Sequence, residues 1–256
     1  MVRNCISAIM KRFFTALILL IMTACSTASG PKTYPSDTLT TQSGEALKIT
    51  FFAHASLAFE FAGRQIYTDP VSDNADYSQQ PKADLILLTH AHYDHFDTAA
   101  IAVLSKEDTR IIQTRECFGH LGYGEVLRPG DTLSVGYADI QAVPAYNTTA
   151  GHTDFHPKGR DNGYVLTIGG TRIYIAGDSE PTPEMLALKN IDIAFLPVNQ
   201  PYTMTVEQAA EAVKAIAPKI FYPYHYGQVE QATDMARLKT LVSGIPNVEI
   251  RIRPME

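Results

Sequence analysis

An α/β fold of four layers, helix–sheet–sheet–helix, follows from three features of this sequence. Strand-like apolar runs alternate with helical ones from Ala46 onward. A hairpin, LAFEFAGRQIY from Leu57 to Tyr67, is echoed by YVLTIGGTRIY from Tyr164 to Tyr174. An apolar strand opening on aspartate also occurs twice, as DLILLTH from Asp84 and DIAFLPV from Asp192. Each half thus has a hairpin ending near an aspartate (Asp69, Asp178), then a buried strand, a helix and a closing strand. Two such halves bury a sheet face against each other and cover the outer faces with helices. The cleft is expected along the edge where the halves meet.

The elements follow from local chemistry. Leu47–Phe52, Leu57–Phe61 and Gln65–Thr68 read as strands, with Ala62-Gly63-Arg64 as a turn. Asp97 is placed to cap a helix running to about Ser105. Arg110–Gln113 returns as a strand, and short strands are expected over 126–131, 132–135 and 139–144, punctuated by Pro129-Gly130 and Gly136. After Met204, Thr205-Val206-Glu207-Gln208 has the form of a capping box. Val206, Ala209, Ala210, Val213 and Ile216 then supply a helical apolar face. Lys219–Tyr222 closes the second half.

Residues 1–24 stand apart. Lys11-Arg12 precede an apolar run from Phe13 to Met22 and then Thr23-Ala24-Cys25. That is the layout of a secretory signal, too short to span a membrane comfortably. Cysteine directly after the small residues resembles a bacterial lipobox, so Cys25 is expected to carry lipid and hold the protein to the cell envelope; a plain signal peptide is the alternative. Residues 25–45 then read as the lipidated cysteine and a flexible Ser/Thr-rich tether, and 46–256 as the folded domain. Losing residues 1–24 removes Arg3, Lys11 and Arg12 and no acid, which takes the formal charge from −6 to −9. A net acidic surface argues against nucleic acid as the partner, and a small-molecule substrate is expected instead. Cys117 alone remains in the domain, so no disulfide framework exists there; it reads as an apolar group in a short helix.

The densest chemistry lies in DLILLTHAHYDHFD, Asp84 to Asp97. Four side chains able to bind a divalent ion, His90, His92, Asp94 and His95, fall at the mouth of a strand. His90 and His92, two apart, project the same way from an extended loop and can share one ion. Asp94 and His95 follow where the chain must bend and can face a second. His225, in FYPYHYG, and Asp178, in IAGDS, also sit at strand ends, where loops gather functional groups. A carboxylate has two oxygens and can bridge two ions.

Taken together with Asp69, Asp178 and His225 in order, Thr89 through His95 resembles the metallo-β-lactamase superfamily across essentially the whole domain. Further phrases are similar to a subgroup that includes ascorbate-6-phosphate lactonases and N-acyl-phosphatidylethanolamine phospholipase D-type proteins. These are His54-Ala55-Ser56, Tyr67-Thr68-Asp69-Pro70, Pro144-Ala145-Tyr146-Asn147, His156-Pro157-Lys158-Gly159-Arg160 and Pro223-Tyr224-His225-Tyr226-Gly227. The resemblance implies a four-layer αββα fold and a site for one or two ions. Zinc is the first expectation, with manganese and iron as alternatives. It assigns His90, His92 and a third histidine to one ion, Asp94, His95 and His225 to the other, and Asp178 to both, with Asp69 orienting a ligand imidazole. The third histidine is His156 or His152, the former favoured by the His-Pro-Lys-Gly phrase.

His54 is open between a supporting, a substrate-facing and a structural role. Lys158 and Arg160 either attract a phosphate or carboxylate or are merely solvated. The implied reaction is hydrolysis by a metal-activated water, assisted by Asp94 and Asp178, at a phosphodiester or a lactone or ester. The alternatives are a non-catalytic lipoprotein held together by metal and an iron enzyme of oxygen or sulfur chemistry.

Overall fold

The computed structural model describes residues 32–227 and 232–255. Residues 1–31, with the expected signal, Cys25 and the start of the expected tether, lie outside the described residues. Two seven-stranded sheets form the body. The first runs in sequence order through β1 (Ser36–Thr40), β2 (Ala46–Ala53), β3 (Ser56–Phe61), β4 (Arg64–Thr68), β5 (Leu85–Leu87), β6 (Arg110–Gln113) and β7 (Glu125–Val126). The second comprises β8 (Thr132–Ser134), β9 (Asp139–Ala145), β10 (Asp161–Ile168), β11 (Thr171–Ile175), β12 (Ile193–Pro197), β13 (Ile220–Tyr224) and β14 (Glu249–Ile250), again neighbour to neighbour. In both sheets the first four strands pair antiparallel, and parallel pairings follow to the far edge. The internal repeat is therefore a repeat of topology, with β1–β7 matching β8–β14.

Period-two alternation in β5 serves two cores at once. Leu85 and Leu87 face the second sheet among Phe51, Phe59, Phe195 and Tyr222. Ile86 and Leu88 face outward, with Phe52 and Tyr67, under α1 (Thr98–Leu104), which buries Ala100, Ile101 and Leu104. The Asp97 side chain accepts from the amides of Ala99 and Ala100, so the helix starts where the sequence places its cap. Next comes α2 (Arg115–Leu121), which buries Cys117; burial pushes that thiol up to about 12, an inert apolar filler. On the second sheet, α3 (Pro183–Leu186) and α4 (Val206–Ile216) cover the outer face. Thr205 and Gln208 form the expected capping box, and Ala209, Ala212, Val213 and Ile216 are buried. Beside α4 lies α5 (Met235–Ser243). Among the described residues no helix is long and apolar enough to cross a membrane.

One boundary moves. Ser36–Thr40, read as tether, is the edge strand β1, in register with β2 from Ser36 opposite Thr50 to Thr40 opposite Ala46. Its composition hides it, because an edge strand facing solvent on one side has little hydrophobic period. What holds it is remote: Asp37 accepts from Arg253 at 2.7 and 3.0 Å and from the Tyr222 hydroxyl. Burial works to raise the Asp37 carboxyl, but those partners hold it below its usual value. The strand expected over 126–131 shortens to Glu125–Val126 as the chain leaves the first sheet for the second.

A chain starting at Glu45 is accordingly expected to unfold at lower temperature than one starting at Lys32. Asp37→Ala alone should cost about 2 kcal/mol in urea denaturation, since it strands two charge-assisted bonds.

Candidate metal centre

The expected ligands, together with His54 and Asp69, sit where strands or hairpins end on one edge of the two sheets. His54 is in the β2–β3 turn, Asp69 follows β4, and His90 to His95 follow β5. His156 lies in the β9–β10 connection, Asp178 after β11 and His225 after β13. Three non-glycine residues of the set hold the left-handed backbone, His54 (φ 54°), Asp69 (φ 43°) and His225 (φ 54°), a strain tolerated where packing over-determines the site. Gly177 (φ 64°) is required beside them, because a Cβ there would meet the Asn162 carbonyl oxygen at 2.8 Å.

Four imidazoles share one logic. Nδ1 of His95 bonds Asp69 at 2.9 Å, and Nδ1 of His156 bonds Asp161 at 3.1 Å. Nδ1 of His90 lies 3.0 Å from the Thr89 hydroxyl, which itself donates to Asp69. Nδ1 of His225 lies 3.1 Å from the Asn199 amide. With the outer nitrogen engaged, Nε2 is left facing inward. Nε2 of His90, His95 and His225, and Oδ1 of Asp178, are buried without a hydrogen bond. They nonetheless crowd together: Asp178 oxygens lie 3.1 Å from His225 Nε2, 3.3 Å from His95 Nε2, 3.4 Å from His156 Nε2 and 3.9 Å from His90 Nε2. Ring nitrogens and carboxylate oxygens converging without hydrogen-bond alignment are what a cation site needs, since unpaired buried polar atoms are otherwise costly.

Ligand-capable atoms within 4.8 Å of one another fall into three groups among the described residues. One is His90, His92 and His156; a second is His54, Asp94, His95 and His225; the third is His90, His95 and Asp178. His152 is in none of them and instead bonds Glu180 at 3.2 Å. His54 Nε2 donates to Asp94 Oδ2 (2.9 Å), and its ring packs 3.8 Å from the His225 ring.

Protonation follows the crowding. Burial, then neighbouring His95, pushes His90 well below its ordinary value, and burial with the His225 charge takes His54 to about 4. Burial works to raise Asp178 and Asp94. His225 and His95 hold Asp178 down, nearby His225 and the hydrogen bond from His54 hold Asp94 down, and both stay ionised. His95 and His225 are raised despite burial, chiefly by Asp178; they carry the protons that a divalent ion would replace.

A cavity of about 860 Å³ opens on this cluster, with His54, His92, Asp94, His156, Asp178 and His225 in its wall. Neither Lys158 nor Arg160 lines it. Lys158 Nζ lies 3.4 Å from Glu184 and 4.8 Å over the Tyr146 ring. Arg160 is held by Asp161 (2.7 Å), Glu116 (3.3 Å) and the Phe155 carbonyl (2.8 Å), and reaches His92 Nε2 at 3.2 Å. The sequence left both open between drawing an anion and being solvated; here they are held by acids, Glu184 in α3, Glu116 in α2 and Asp161 at the start of β10.

Sequence reasoning missed Asp161 and Asn199. Asp161 has no periodic relation to His156. Asn199 was findable, since it follows DIAFLPV as the histidine loop follows DLILLTH.

Two packed mixed sheets carrying a His/Asp cluster on their shared edge define the metallo-β-lactamase class of fold. The beta-lactamase superfamily domain model matches residues 48–225, and the chain belongs to that superfamily. Within it the chain belongs to the UPF0173 metal-dependent hydrolases. It is 35% identical over 193 residues to a UPF0173 metal-dependent hydrolase of Ligilactobacillus salivarius, covering 70% of this chain and 85% of the relative. A crystal structure from Parabacteroides distasonis, of a protein assigned to the metal-dependent hydrolases, is 51% identical with a TM-score of 0.83, covering 88% of this chain and all of that one. The metallo hydrolase Igni18 of Ignicoccus hospitalis is 25% identical with a TM-score of 0.69, covering 81% of this chain and 95% of that one.

Asn199→Leu and Asp161→Asn should each weaken metal binding about 10- to 100-fold in equilibrium dialysis, with Asn199→Asp retaining affinity. Titrating metal into the apoprotein should release protons. Because His95 and His225 are raised, the release should grow as pH falls toward and below their values, read with a pH indicator.

Proposed function

We propose that this metal-dependent hydrolase holds two ions, with His90, His92 and His156 at one position, Asp94, His95 and His225 at the other, and Asp178 shared. The carrying observation is the set of inward Nε2 atoms around the Asp178 carboxylate, each imidazole with its Nδ1 held from behind. Histidine with carboxylate suits zinc first, and manganese or iron as alternatives. Bound ions would supply a water acidified to about neutral pH and a Lewis acid for the electrophile's oxygen.

The chain's own part is positioning and proton handling. Asp94 and Asp178, both ionised, accept hydrogen bonds from the nucleophilic water and keep its lone pair aimed at the substrate. Asp94 borders the cavity with a partly exposed side chain (28%), and it carries a proton from water to the leaving oxygen. The water oxygen bonds the carbonyl carbon or phosphorus, the acyl C–O or P–O bond breaks, and the proton ends on the departing oxygen. The choice of a phosphodiester or a lactone or ester is supported by the sequence likeness to the lactonase and phospholipase D types. We also infer export and lipid attachment at Cys25, supported by the basic, apolar and small-residue order before it. Cys25→Ala should move the protein out of the membrane fraction.

His90→Ala, Asp178→Ala and His225→Ala, in a chain starting at Lys32, should each lower hydrolysis of lactone or phosphodiester substrates by more than about 100-fold. Metal by elemental analysis should fall from two equivalents to one or none. Retention of both activity and metal in any of the three would sink the assignment.

A further inference from the structure

We infer that the substrate is an uncharged carbonyl ester or lactone bearing a flat apolar group, and not a phosphorylated compound. This rests on the hydrolase reading above and selects among its bond types. The first argument is charge. A phosphoryl group drawn into a part-enclosed cavity loses hydration, and side-chain cations beyond the reacting centre offset part of that loss. Among the described residues no lysine or arginine lines this cavity, and the two nearest in sequence, Lys158 and Arg160, are neutralised by Glu184, Glu116 and Asp161. The helix that follows the lining segment 199–202 offers no anion site either, because Thr205 and Gln208 close the first turn of α4 on itself.

The second argument is shape. Away from the histidines and the two aspartates, the cavity is walled by Phe155, Tyr202, Pro201, Ala91 and Tyr93, with the uncharged amides of Asn199 and Gln200. Phe155 and Tyr202 come from two separate loops of the second half, the β9–β10 connection and the loop after β12, and meet edge to face with centroids 4.9 Å apart. Tyr202 and Tyr93 stay 40% and 88% exposed, large rings left in water beside a catalytic cleft. Such rings gain by covering an apolar ligand face. The Asn199 carboxamide, buried in the same wall, adds a dipole without charge.

The reaction is balanced by water alone: its oxygen bonds the carbonyl carbon, the acyl C–O bond breaks, and the products are an acid and an alcohol.

The test compares dihydrocoumarin, δ-valerolactone, bis(4-nitrophenyl) phosphate and 4-nitrophenyl phosphate on the metal-replete protein. Alongside, 2-naphthol and 2-naphthyl phosphate are titrated into the metal-free protein by calorimetry. Dihydrocoumarin should show a KM about tenfold below that of δ-valerolactone, and Phe155→Ala with Tyr202→Ala should erase that ratio while metal content is unchanged. In the metal-free protein 2-naphthol should bind more tightly than 2-naphthyl phosphate, and the same two substitutions should weaken it. Equal KM values for the two lactones, better turnover of either phosphate ester, or tighter binding of 2-naphthyl phosphate would overturn the inference. Absence of turnover on all four substrates would count against the hydrolytic reading, with the naphthol titration still deciding the question of substrate class.

Discussion

A buried carboxylate surrounded by imidazoles is the constraint on which this structure turns. Asp178 is almost fully buried, and four ring nitrogens lie within 3.9 Å of its oxygens. Desolvating one carboxylate and several imidazoles is expensive unless strong partners repay it. The fold meets that cost from outside the cluster, by fixing each ring through its outer nitrogen with Asp69, Thr89, Asp161 or Asn199. The inner nitrogens then have one direction to face, and a cation is the partner that satisfies all of them together.

The duplicated topology explains how so many groups reach one point. Since β1–β7 match β8–β14, Asp69 after β4 and Asp178 after β11 occupy equivalent places, as do the histidine loop after β5 and Asn199 after β12. The same holds for His54, between β2 and β3, and His156, between β9 and β10. Equivalent positions have taken different work. In the first half the aspartate supports a ring and the strand-end loop carries the histidines; in the second the aspartate enters the cluster and the strand-end residue supports a ring. Parallel strands send their C-terminal ends to one edge in each sheet, so packing the sheets face to face brings both sets of ends together.

The same edge is asymmetric in what surrounds the cluster. The β9–β10 connection brings Phe155 and His156 inward, while Lys158 and Arg160 leave with acidic partners. A loop rich in charge thereby presents an uncharged wall. Its basic residues contribute to loop order, with Arg160 reaching both Asp161 and His92, so charge in the sequence near a site does not translate into charge within it.

By itself the sequence determined the layered fold, most strand and helix positions, and the residue types that cluster. Those rest on signals a few residues long: alternation in β5, the Asp97 and Thr205 caps, and histidines spaced at a strand end. The repeat added the long-range pairing, since two similar halves imply two similar sheets. Only the tertiary structure decided that Ser36–Thr40 is a strand, because its anchors, Tyr222 and Arg253, are distant in the chain. Likewise, it alone separated His156 from His152, turned Lys158 and Arg160 out of the cavity, and set Asn199 and Asp161 behind their imidazoles. Each of those outcomes depends on which hydrogen-bond partner a side chain meets across the fold. That partner is set by packing between segments far apart in the chain, which local pattern does not encode.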